Sequence, residues 1–155
     1  MQSASTESPD SLVKAKSKSM WTVLKAWLPA LVYMAAIYYM SSINKLPDVP
    51  GPLISWDKAQ HVFAYFGLGL LLYRATALCP LVRHINPTGE VFLVASFYGI
   101  FDEVHQMYVP GRSAELKDWI ADVAGVLLAI AIVVLVAFFT KGGRTSGRPA
   151  RGERL

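Results

Sequence analysis

Residues 119–139 read WIADVAGVLLAIAIVVLVAFF, twenty-one residues with a single ionisable side chain, Asp122. At about 1.5 Å rise per residue, a helix of this length covers the roughly 30 Å hydrocarbon core of a bilayer. The run is apolar on every face, which a surface helix of a soluble domain is not. The fourth span is therefore expected from about Ala114 to Thr140, behind the turn signal Pro110-Gly111 and a helix start at Ser113 with Glu115. Working back along the chain, a third span is expected from about Thr88 to Met107. A second runs from about Trp56 to Leu78, with Ser55 as its cap and Cys79-Pro80 at its end. The first runs from about Trp21 to Met40. Trp21, Trp27, Tyr38 and Tyr39 lie toward its ends like an interfacial aromatic belt, and Pro29 inside it predicts a kink. Residues 41–55, with Pro47, Pro50, Gly51 and Pro52, form a loop. Residues 1–19 and 141–155 are polar, basic and expected to be disordered cytoplasmic tails around a transmembrane domain at 20–140. The expected fold class is all-α: a polytopic membrane protein with a bundle of four transmembrane helices.

Composition agrees. The chain is 54% hydrophobic and 17% charged, where a soluble domain carries about 25% charged residues. Its 155 residues allow one domain. The net charge of +4 does not point to nucleic acid, because the basic residues sit mainly in the tails beside apolar blocks. Lys and Arg beside such blocks mark a cytoplasmic face. A single cysteine, Cys79, excludes an internal disulfide and reads as a small apolar filler. The first apolar block is too long for a signal-peptide core, and Tyr38, Tyr39 and Met40 precede Ser41 where cleavage needs small residues. It is read as a retained helix.

Orientation follows from the basic residues. Lys14, Lys16, Lys18, Lys25, Arg74, Arg83, Lys141, Arg144, Arg148, Arg151 and Arg154 fall on one side, and Lys45, Lys58, Arg112 and Lys117 on the other. The positive-inside rule places both termini inside and the first and third loops outside.

The polar residues of the spans are not scattered. Asp57 and His61 open the second helix at i, i+4; Asp102, Glu103, His105 and Gln106 close the third; Asp118 and Asp122 open the fourth, again at i, i+4. With the orientation above, all lie at one depth near the outer surface, with Arg112 in the loop between. Behind them run stripes of small residues, Ala95 and Gly99 below Asp102 and Gln106, and Gly125 and Ala129 below Asp118 and Asp122. Small residues let membrane helices approach closely, so the polar groups above them are expected to face the bundle interior.

Each group has a structural reading beside a functional one. Asp57 and Asp118 suit a helix N-terminus electrostatically. Asp122 lies a turn deeper, where capping does not explain it; its expected structural partner is Arg112 or His61. Glu103 points away from Asp102, toward another helix or the interface. Arg112 either grips an anion or holds the carboxylates together. Arg74 snorkels at the inner end of its helix.

At these residues the sequence resembles the VanZ-like membrane proteins. The resemblance is carried by Asp57-Lys58-x-x-His61, the run Phe63 to Leu70, Asp102-Glu103-x-His105-Gln106, Pro110-Gly111-Arg112 and Asp118-x-x-x-Asp122-x-x-Gly125, within residues 21–140. It implies a multi-pass protein of the bacterial plasma membrane. It also implies a part in the cell envelope, up to an effect on susceptibility to the glycopeptide teicoplanin. It brings Lys58 into the candidate site.

Three functions remain open. A binder would shield or position a lipid-linked or peptidoglycan-precursor ligand among the membrane lipids. An enzyme would use His61, Asp102, His105 and Asp122 as acid–base groups, with Asp57, Lys58, Glu103, Gln106, Arg112 and Asp118 holding a substrate. An ion-coupled carrier fits less well, because the charged groups stop at one surface. No G-x-S-x-G sequence supplies a serine nucleophile. A variant of the enzyme reading holds a divalent metal with His61, His105 and carboxylates, but no H-E-x-x-H spacing supports it. No cofactor and no metal ligand are assigned.

Overall fold

The computed structural model describes residues 9–43, 56–79 and 86–142. They form four helices: α1 (Pro9–Ser41), α2 (Trp56–Leu78), α3 (Pro87–Gln106) and α4 (Leu116–Gly142). The expected loop at 44–55 with its Ser55 cap, the loop at 80–85, and residues 1–8 and 143–155 lie outside the described residues. α1 begins at Pro9, well ahead of Trp21, and takes in residues 9–19 that the sequence reading assigned to a tail. Proline is accommodated in a first helical turn, and the residues from Asp10 to Ser19 include no glycine or second proline to stop propagation.

α1, α2 and α4 each contain a stretch long and apolar enough to cross a membrane, at Met20–Ser41, Asp57–Leu78 and Leu116–Thr140. α3 differs because it carries Glu90, Asp102 and Glu103 within twenty residues. It starts at an Asn86 cap, whose side-chain oxygen accepts from the Thr88 amide at 3.1 Å, with Pro87 as the first helical residue. Arg74 donates to the Ala26 carbonyl at 3.5 Å. That carbonyl is one residue along from the one that Pro29, lacking an N–H, leaves without its helical donor.

α2 is the central helix. It packs most extensively on α4 and also on α1 and α3, whereas α1 and α3 barely meet. The α2–α4 seam is a backbone contact. A Cβ on Gly125 would collide with the Val62 carbonyl oxygen and lie 2.9 Å from the Phe66 nitrogen. The small-residue stripes face inward as their spacing predicts, since Ala95, Gly99, Asp102 and Gln106 on α3 are buried, as are Asp118, Asp122, Gly125 and Ala129 on α4. A core of Ala30, Ile37, Tyr65, Leu68, Leu72, Val91, Ala95 and Val126 fills the middle. Large apolar side chains such as Leu127, Leu135, Phe138 and Phe97 remain exposed, an outward surface suited to hydrocarbon.

Between α3 and α4 the Arg112 amide donates to the Val109 carbonyl at 3.1 Å, and Gly111 has φ of 80°. This is a type II turn with Pro110 and Gly111 in its two central places. It delivers Arg112 back toward the end of α1.

Candidate functional site

The start of α2, the end of α3 and the start of α4 meet at one end of the bundle. His61 Nδ1 lies 2.8 Å from Asp122 Oδ1, with Asp122 fully buried and the His61 side chain 10% exposed. With Asp122 ionised its carboxylate accepts and Nδ1 donates; in the neutral imidazole Nε2 is then the basic nitrogen. Of the two partners expected for Asp122, the structure selects His61. His61 Nε2 also lies 3.9 Å from Asp118 Oδ2. Lys58, one turn before His61 on α2, forms a close ion pair with Asp118 and a second at 3.2 Å with the exposed Glu115.

Asp102 is buried; its Oδ2 accepts from Gln106 Nε2 at 3.1 Å, and Gln106 Oε1 accepts in turn from Arg112 Nη1 at 3.5 Å. Glu103 turns to α4, where its Oε2 accepts from the Glu115 amide at 2.8 Å and caps the helix that starts at Leu116. Among the described residues Arg112 is paired with no carboxylate. Besides Gln106 it donates to the carbonyls of Ile43 at 3.1 Å and Met40 at 3.4 Å, closing off the C-terminal end of α1.

His105 is not brought to His61. It stacks on Tyr38 at 4.1 Å between ring centres, and its Nε2 lies 2.9 Å from Ser42 Oγ. Helix phase explains this. At about 100° per residue, Glu103 and His105 leave Asp102 in opposite senses, one toward α4 and the other toward α1. The Asp102–Gln106 stripe stays between them.

That stripe faces a cavity of about 370 Å³ in the gap that α1 and α3 leave in front of α2. Its lining is mixed: Tyr33, Ala36, Ile37 and Met40 of α1 and Ala64 of α2 are largely apolar, while Ser41, Asp57, Gln60, His61, Asp102, Gln106 and Arg112 are polar. The sequence reading missed Tyr65, whose ring is fully buried, whose hydroxyl has no hydrogen-bond partner among the described residues, and which lines this cavity. Its only sequence signal is position, four residues after His61 on the same face.

The carboxylates leave oxygens over. Asp102 Oδ1, Glu103 Oε1 and Asp122 Oδ2 are buried without a hydrogen-bond partner among the described residues. Two sets of possible metal ligands draw on the cluster, one of His61, Glu103 and Asp122 and one of Asp57, His61 and Asp118. Neither includes His105.

The fold and the cluster define a class: a small helical membrane-type bundle with buried acids and one histidine gathered at one end. Within that class the chain belongs to the VanZ/LLP1 family, whose profile matches residues 4–137. None of the curated proteins and none of the solved structures matches it.

Proposed function

We propose that this protein spans the bacterial plasma membrane four times with both termini inside, and that its outer-face cavity binds an amphipathic, lipid-linked envelope molecule. The observation that carries the reading is the mixed lining of the cavity: apolar Ala36, Ile37, Met40 and Ala64 together with His61, Asp102, Gln106 and Arg112. Such a lining suits a molecule with a chain and a polar head. α3 is the fourth span in this reading. Two of its acids, Asp102 and Glu103, are buried, while Leu93, Val94, Phe97, Ile100, Phe101 and Val104 are exposed. Acids turned into a bundle are the arrangement that a bilayer tolerates. By holding or shielding a peptidoglycan precursor, the protein would alter how a glycopeptide such as teicoplanin reaches it.

A second reading, an enzyme on the same class of molecule, is favoured by the His61–Asp122 contact at 2.8 Å at the cavity wall. A buried carboxylate that fixes the tautomer of an imidazole is the arrangement of a general base.

Mass spectrometry of molecules that co-purify with the gently solubilised protein tests both. A polyprenyl-linked or other anionic lipid is expected with the wild type and is lost from Ala36→Trp, which fills the cavity. Bulk lipid alone, identical in the two proteins, sinks the binding reading. Chemical change of the bound species on incubation, abolished by His61→Ala and Asp122→Asn with membrane insertion intact, selects the enzyme.

A further inference from the structure

Among the described residues the buried charge at the head of the bundle does not balance. Asp102, Glu103, Asp118 and Asp122 are all at least nine-tenths buried. Lys58 pairs with Asp118, and Arg112 donates to Gln106 and to two backbone carbonyls, so among the described residues no lysine or arginine is paired with the other three acids. His61, even when charged, offsets one of them. Burying a carboxylate without a counter-charge is costly, and the usual remedies are pairing and metal coordination.

The unused oxygens point the same way. Asp122 is fully buried and Glu103 is 7% exposed, and each keeps one carboxylate oxygen without a hydrogen-bond partner among the described residues. One ligand atom from each of His61, Glu103 and Asp122 lies within 4.8 Å of the other two. Ligands about 2 Å from a shared ion lie up to about 4 Å apart, so at most a small side-chain adjustment closes the three on one ion. The three come from three helices, so no spacing within one segment announces them. Glu103 is suited to the task because its other oxygen is fixed by the Glu115 amide at 2.8 Å, which orients the carboxylate from behind.

We propose that His61, Glu103 and Asp122 bind one divalent transition-metal ion. One imidazole and two carboxylates suit Mn2+ or Zn2+ rather than a soft, thiolate-seeking ion. Three protein ligands leave positions for water or for an oxygen of a bound headgroup, beside the cavity that His61 also lines. The inference deepens the reading of this site and shares His61 with it, but ion binding does not require that a lipid be present.

The experiment uses the full chain in detergent, stripped with EDTA, loaded with Mn2+ or Zn2+, and desalted. The wild type is expected to retain about one ion per chain, measured by elemental analysis. Glu103→Gln, which keeps an oxygen for the Glu115 amide, and Asp122→Asn are expected to weaken binding at least roughly tenfold. Asp57→Asn, which belongs to the other possible ligand set, should bind as the wild type does. No retained ion in the wild type, unchanged retention in both variants, or loss confined to Asp57→Asn would each overturn the proposal. A measurement without variants guards against misfolding: Co2+ added to the wild type should give a visible absorption that Zn2+ displaces, and its absence counts against the site. Co-purifying lipid is assayed on the same preparations, so failure of the ion and failure of the lipid reading are told apart.

Discussion

Lys58 is the cation that makes Asp118 tolerable inside the bundle. Asp118 is 1% exposed and Lys58 28%, so the pair has one partner in the interior and the other at its edge. Removing the partner of a fully buried charge costs about 3–5 kcal/mol. With a partly solvated lysine, Lys58→Met should cost about 2 kcal/mol and lower the melting temperature in detergent by several degrees. Adding Asp118→Leu to Lys58→Met should recover most of that loss, because an apolar pair leaves no charge stranded. A double variant as unstable as the single one would show that Asp118 has a further role beyond the pair. At this scale the sequence was legible wherever a residue's partner follows from depth and helix face. Asp122 is such a case in part: depth and helix face narrow its partner to His61 or Arg112, and the structure shows His61. Arg112 was not legible, because a charge suggests a charged partner and carries no sign that it ends on the carbonyls of Met40 and Ile43.

Among the elements, α2 and α4 carry the bundle, and Gly125 sets how near they come. A side chain there meets the Val62 carbonyl, which belongs to a helix backbone and cannot rotate away. Gly125→Val should therefore cost about 1–3 kcal/mol by overpacking. It should also shift His61 against Asp122, since Gly125 lies one turn beyond Asp122 on the same helix. The check is a thermal melt in detergent, with Gly89→Ala as a control, because the nearest atoms to a Cβ there lie 4.0 Å away. Equal melting temperatures for the two variants would mean that α4 can tilt freely on α2. The elements themselves were legible to within a few residues at α2, α3 and α4, where Cys79-Pro80 and the Pro110-Gly111 turn punctuate the chain. The start of α1 was not, because polarity separates tail from membrane span but does not stop a helix. Nor does a periodic pattern say which helices are neighbours. The gap between α1 and α3, and so the cavity, came only from the assembled structure.

For the whole molecule, the proposed direction in the membrane rests on the basic residues, and the proposed ligand agrees with it. Basic residues favour the side of the termini by eleven to four. The buried polar cluster lies at the opposite end, beside Arg112 and the type II turn. Polar groups proposed to meet an envelope molecule made outside would need that end to face outward, so the charge count and the proposed ligand call for the same direction. A single cysteine at the turn tests it, in a Cys79→Ala background that removes the one native thiol. Pro110→Cys, at an exposed position, should react in intact cells with an impermeant maleimide. Gly142→Cys, at the end of α4, should react only once the membrane is permeabilised. The reverse pattern would put the cavity on the cytoplasmic side. The ligand would then have to be an intermediate still attached to the inner leaflet, and shielding from an external glycopeptide would no longer explain the protein.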